Sequence, residues 1–367
     1  MKRAFLTLLF YLRAQRLMRL LLGRRHLVLA YHGFTDAPDH PGIENSHGKH
    51  LDIGRFRQHV AYLKANYNVV PLERVIQHYR NADALPPRTV AITIDDGYES
   101  TGTLAYPVLQ EYQLPATVFV TTGFVEDGEP LWTDRLEYAL TATTASRLQV
   151  TIEGQTRSYD IADRRGKLAC DSDLRSRLKV VPQEARPAIV EQLERNLGKA
   201  LQPDDDRAAL YRPLSWAQIR EMAEGGLVSI GAHTVSHVIL TRCSPDRARN
   251  ELLVSKQLIE QKLGAPCTMF CYPNGQLGCF DASTRAMLQE LGYECGITTV
   301  FGTNGPHSDV FELKRLYFDD RGEFVRFVMT LSGVVGILDS VKRHLKRLRP
   351  GWSAGRPRTA RVIDEAR

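Results

Sequence analysis

The 367-residue chain has no apolar run of membrane-spanning length, no internal repeat, no low-complexity tract and no C-x-x-C pair. Each absence removes a class of protein. The nearest thing to a leader or anchor, Ala4 to Leu12, falls far short of the roughly 20 residues that cross a bilayer. Arginines follow it at once, and no small-x-small cleavage site does. Without a repeat, solenoids and propellers drop out. Six cysteines are present: Cys170, Cys243, Cys267, Cys271, Cys279 and Cys295. Lacking the paired spacing of a structural zinc site, they read as small buried thiols, which favours a cytosolic setting. What remains is an ordinary globular composition, 43% apolar and 25% charged, with room for one large domain or two ordinary ones.

Acid is missing locally. Residues 1–26 carry seven Lys/Arg and no acid, and residues 342–367 carry nine against Asp364 and Glu365. With a total of +6, the body between them is acidic. Nucleic-acid binding needs a basic face on the folded part, so it is excluded. Basic ends beside apolar segments fit an anionic membrane surface, with the chain peripheral on its cytoplasmic side. A helix simply packed on the body is the alternative for residues 1–25.

Seven apolar runs end in turn or polar residues: 26–34, 89–97, 116–124, 227–234, 267–275, 293–300 and 310–318. Helical spacing fills 52–66, 99–112, 216–225, 245–263 and 281–291, and Ser244-Pro245 is a sound N-cap and first-turn pair. Strands alternating with helices imply parallel pairing, and seven units suggest an α/β barrel closed or nearly so. The alternation breaks at 125–214, read as an insertion covering the barrel mouth and containing a two-stranded piece at 147–161. Residues 26–322 form the barrel, 323–348 an amphipathic helix, and 349–367 a basic tail without fixed structure.

The runs end in reactive residues, where ligand sites of α/β barrels gather. "TIDDG" sets Asp95 beside Asp96, two carboxylates that repel unless a cation or proton reconciles them. "HTVSH" supplies the cation's other ligands: His233 and His237 are four apart, so one helical turn would put both imidazoles on one side. Two His and one carboxylate suffice for a catalytic divalent metal with a position left for water. One Asp would bind it and the other stay free as a base. Zinc is the default; Co2+, Ni2+ or Mn2+ would accept the same ligands.

These motifs resemble those of the polysaccharide deacetylases of carbohydrate esterase family four, the NodB homology domain, over roughly residues 27–320. The resemblance implies a distorted (β/α)7 barrel with a helical insertion and hydrolytic removal of acetyl from an N-acetylated sugar. It implies Asp95 as base and Asp96, His233 and His237 as metal ligands. The third motif departs: Arg-Pro-Pro-Tyr-Gly is replaced by Cys271-Tyr272-Pro273-Asn274-Gly275. The backbone amide of Asn274 can still donate to the oxyanion, but the arginine that holds the base is missing. Arg315 is the candidate replacement, with a structural ion pair as the alternative. The usual Leu-x-Leu-His is absent too. "LVLAYHGF" instead resembles the permuted branch that deacetylates poly-β-1,6-N-acetylglucosamine, which implies His32 as general acid.

Tyr98, Trp132, Trp216 and Tyr272 are candidates for sugar stacking, Trp132 foremost because it opens the insertion. The substrate is expected to be an N-acetylated glycan or a lipid-linked sugar. Hydrolysis of another carbon–nitrogen bond in a small amide, and an inactive membrane-associated carbohydrate-binding protein, are the competing readings.

Overall fold

The computed structural model describes residues 2–21, 25–37, 40, 42–200, 206–318 and 322–338. Seven parallel strands form its centre: β1 (Leu27–Tyr31), β2 (Thr89–Ile94), β3 (Ala116–Val120), β4 (Val228–Ala232), β5 (Met269–Cys271), β6 (Cys295–Phe301) and β7 (Leu313–Tyr317). Their order is β1-β7-β6-β5-β4-β3-β2, and β2 pairs back onto β1 from Leu27–Val90 to Tyr31–Ile94, closing the ring. The barrel is distorted. β5 is only three residues long, and the β6–β7 register shifts between Ile297 and Phe301.

The strands were readable as continuous apolar runs because a closed parallel sheet is covered on both faces. β1, β2 and β3 are buried throughout. Alternate residues serve different layers: Leu27, Leu29 and Tyr31 pack with the surrounding helices, while Val28 joins Ala91, Phe119, Ile297 and Leu313. The helix Pro245–Leu263 begins as its cap residues dictate, with Ser244 accepting from the Arg247 N–H and proline in the first turn. In the barrel region the helices Leu72–Asn81 and Thr122–Asp127 go beyond the expected set. Leu72–Asn81 follows Pro71, which makes no side-chain cap, so no start signal marked it.

Between β3 and β4 the chain leaves the barrel. The helix Trp132–Ala142 is followed by the antiparallel pair Arg147–Ile152 and Gln155–Asp160, then by helices Arg164–Leu178 and Arg186–Leu197. These elements bury a core of their own, including Leu136, Leu140, Val150, Leu174 and Leu193.

The N-terminal run is two helices, Lys2–Tyr11 and Ala14–Leu21, broken at Arg13 with φ 59°. Phe10 packs on the main core, and the first helix lies against Phe324–Leu331. Of the segment expected to be helical over 323–348, residues 339–348 lie outside the described residues, as does the tail 349–367.

Candidate active site

β2 ends by hydrogen bonding rather than by chance. The Asp95 N–H donates to the Tyr31 carbonyl at 2.9 Å, carrying Asp95 one step past the last paired residue. The backbone then reverses through Asp96 (φ 75°) and Gly97 (φ 92°), left-handed positions that favour glycine at the second. Neighbouring carboxylates are thereby set into different surroundings.

Asp95 is met by Arg315 from β7. Arg315 Nη1 donates to Asp95 Oδ1 at 2.8 Å and Nη2 to Oδ2 at 2.6 Å, a two-pronged pair with both side chains 1% exposed. The guanidinium is itself fixed: Nε donates to the Thr298 carbonyl at 2.8 Å and Nη1 also to Thr93 Oγ1 at 2.9 Å. Burial opposes the Asp95 charge, but Arg315 outweighs it and holds the carboxyl below its ordinary range. Cys271 lies where the usual third motif has arginine. Its Sγ accepts from Arg315 Nη2 at 3.2 Å, so a small thiol leaves room for a guanidinium arriving from another strand. Burial pushes the Cys271 thiol up, keeping it protonated.

Asp96, His233 and His237 converge beside this pair. Their donor atoms lie within 4.8 Å of one another, with His233 Nε2 3.5 Å and His237 Nε2 3.4 Å from Asp96 Oδ1. The two histidines do not sit on a helix, as their spacing had suggested. They occupy a loop after β4 in which Thr234 and His237 adopt positive φ, 65° and 51°, and this fold of the chain brings the rings to 4.9 Å. Glu251, from Pro245–Leu263, accepts the N–H groups of Val235 and Ser236, each at 2.9 Å. From the insertion, Arg186 Nη2 donates to the His237 carbonyl at 3.3 Å.

The donor set fits a divalent metal on three observations. Asp96 Oδ1 is buried without a hydrogen-bond partner. His233 Nδ1 lies 2.7 Å from the Cys271 carbonyl, which can only accept, so Nδ1 carries a proton and Nε2 is the atom turned toward Asp96. Burial holds His237 neutral, its pKa lowered to about 3, although Asp96 pulls the other way. A second set, Asp95, His233 and Cys271, is equally compact. It is the poorer choice, because Arg315 already engages both Asp95 oxygens and the thiol stays protonated.

His32 follows β1 and lies beside Asp95. Its Nε2 is 3.9 Å from Asp95 Oδ2, its side chain is 18% exposed, and its Nδ1 has no partner. Burial lowers its pKa, while the Asp96 and Asp95 charges oppose that shift. Asn274 stands in the turn after β5 with φ 59°, its carbonyl held by the Thr299 hydroxyl.

The aromatic candidates are not surface platforms. Tyr98 and Tyr272 are buried at 0% and 1% exposure. Tyr98 donates to Asp134 at 2.7 Å and accepts from Lys49 at 2.6 Å. Trp132 belongs to the insertion core, with Arg186 over its ring. Trp216 lies under Lys262 and donates to Glu126. The exposed ring nearest the chemistry is Tyr317 at the end of β7, 39% exposed and edge-on to His32 at 5.6 Å. Residue type alone could not separate it from the others; its place at a strand end, two after Arg315, was the available signal.

A parallel barrel with a buried carboxylate–arginine pair beside an Asp-His-His cluster at its strand ends offers the donor set of a divalent-metal site next to a held carboxylate. Residues 82–296 match the polysaccharide deacetylase family, and the chain belongs to it. It is 38% identical over 61 residues to the poly-β-1,6-N-acetyl-D-glucosamine N-deacetylase of Escherichia coli, 16% of this chain and 9% of that one. It is 32% identical over 71 residues to the enzyme of the same name from Staphylococcus aureus, 19% of this chain and 24% of that one. These matches thus span under a quarter of the curated relatives' length. The fold is similar to that of the Streptococcus pyogenes deacetylase PplD (TM-score 0.55, 19% identity, 84% of this chain and 99% of that one). It is also similar to that of IcaB from Ammonifex degensii (TM-score 0.53, 17% identity, 84% and 98%).

Proposed function

We propose that the protein removes acetyl groups from N-acetylglucosamine-type residues of a glycan, releasing acetate and a free amine. The observation that carries this reading is the side-by-side division of two carboxylates: Asp95 committed to Arg315, and Asp96 left open toward two histidines. Asp96, His233 and His237 hold a divalent metal, most simply Zn2+. When bound, it supplies a Lewis acid and lowers the pKa of water toward neutrality.

The chain's own residues do the rest. Asp95 stays ionised because of Arg315; its Oδ2 accepts from both Arg315 Nη2 and the Cys271 thiol, whereas Oδ1, which accepts from Arg315 Nη1, keeps a second lone pair with which to take the proton of the attacking water. The backbone N–H of Asn274 donates to the oxyanion that forms at the acetamide carbon, a contribution of about 3 kcal/mol for a well-placed donor. His32, beside Asp95, gives its proton to the departing amine, which otherwise leaves poorly. Tyr317 offers the sugar an apolar face beside that acid.

The test is acetate release from N-acetylglucosamine oligomers by metal-loaded, chelated and reloaded protein, with Asp95→Asn in parallel. Release that needs the metal and disappears in the variant supports the reading. Protein that holds one metal per chain yet releases no acetate from any oligomer would sink it.

A further inference from the structure

The sequence "AFLTLLFYL", residues 4–12, is apolar around its whole circumference apart from Thr7. A helix of that kind in a water-soluble body needs cover on every side. Here it has cover on one. Phe10 packs on the main core, and the helix Lys2–Tyr11 lies against Phe324–Leu331. The opposite side is bare: Phe5 is 48% exposed, Leu8 54%, Tyr11 76% and Leu12 68%, with Leu17 of the next helix at 61%. Phe5, Leu8 and Leu12 are spaced three and four apart, so they share one face. Scattered exposed leucines are ordinary, but this is a contiguous patch.

The charges around the patch indicate what covers it. Arg13 and Arg16 are exposed at its edge. The chain contains no acid before Asp36, while Lys2, Arg3, Arg19, Arg24 and Arg25 also fall in this stretch. A second copy of the chain would set this cationic edge against itself if the patches met face to face. Apolar side chains flanked by exposed Arg13 and Arg16, in a stretch without acid, match the surface of a bilayer rich in anionic lipid, the apolar groups entering the interface and the guanidinium groups staying at the headgroups.

We infer that the exposed face of the N-terminal helices, Phe5, Leu8, Tyr11, Leu12 and Leu17 with Arg13 and Arg16, is a docking surface for anionic lipid membranes. The helices lie in the plane of the interface and do not span it; no helix among the described residues is long and apolar enough to cross a membrane.

The experiment is co-sedimentation of the full chain with vesicles of phosphatidylcholine alone and of an equal mixture with phosphatidylglycerol. Binding is expected to the mixed vesicles only and to weaken as salt is raised. Arg13→Ala with Arg16→Ala should weaken it by about fivefold per charge removed. Phe5→Ser, Leu8→Ser and Leu12→Ser together should abolish it, with acetate release from soluble oligomers and the melting temperature retained, since these side chains face away from the body. Equal binding to both vesicle types, or binding that survives the triple substitution, overturns the inference. So does a chain that stays in the supernatant while sedimentation velocity detects a dimer that the same triple substitution dissolves, which would assign the face to a second copy.

Discussion

Arg315 and Asp95 show how a motif can lose a residue and keep its chemistry. Where the third motif places Cys271, the side chain is too short to carry charge to the base, and the guanidinium comes instead from β7 with the thiol beneath it. Removing one member of a buried pair leaves an uncompensated charge. Arg315→Ala should therefore cost about 3–5 kcal/mol of stability, read as a lowered denaturation midpoint. Arg315→Lys keeps the charge but offers no flat fork, so the fold should survive while kcat falls well below wild type. Equal kcat in Arg315→Lys would reduce the arginine to a structural ion pair. Asp95→Asn should lower kcat by about 10²–10⁴-fold with metal content unchanged, whereas Asp96→Asn should lose the metal, as measured by elemental analysis. Motif order pointed to both carboxylates; the source of the arginine rested only on a gap in a resemblance.

The metal loop owes its shape to its neighbours. A four-residue interval suggested a helical turn for His233 and His237, yet Thr234 and His237 take left-handed backbone conformations that no spacing rule reveals. Glu251 fastens the loop through two backbone N–H groups, and Glu251→Ala should raise the metal dissociation constant about 10–100-fold while leaving Asp95 untouched. Metal titration with a competing chelator reads this directly. Strands and most helices were legible for a related reason: continuous burial writes itself as a continuous apolar run, and caps such as Ser244 lie in the sequence next to what they cap. Leu72–Asn81 has no such cap, and the buried state of Tyr98, set by Asp134 and Lys49 from distant segments, is a property of packing alone.

The same packing makes the outer layer sensitive to acid. His59 on Ile53–Asn66 stacks on Phe327 at 3.6 Å, and burial, helped by Arg55, lowers its pKa from 6.5 to about 3. Between those values the unfolded chain binds a proton that the folded chain refuses, so stability falls as pH drops below 6.5. Down to about pH 5 the loss from this group should approach 2 kcal/mol, and His59→Leu should flatten that slope in urea titrations. A slope unchanged by the substitution would place the acid sensitivity elsewhere, for instance at His26, whose pKa burial also lowers.

Taken whole, the molecule is a barrel tied to its insertion beside the candidate site. Arg186 reaches from the insertion to the His237 carbonyl, and Gln183 bonds the backbone at Ile239 and Arg242. The insertion and the metal loop thus share fixings, and a bound metal adds a further tie that exists only in the folded state. Chelation should lower the melting temperature and metal should restore it; the same midpoint in both conditions would mean that Asp96, His233 and His237 hold no ion.

Asp95 and Arg315 are 220 residues apart, and β7 is also the strand that lies between β1 and β6 in the closed ring. On a ribosome, Asp95 emerges long before Arg315 exists. Until the final barrel strand is made, Asp95 has no place in an apolar interior and the ring has two open edges. Synthesis therefore sets a clock on the site: a chain stopped short of β7 has Asp96, His233 and His237 but no held Asp95, and the buried pair is complete only once β7 is delivered.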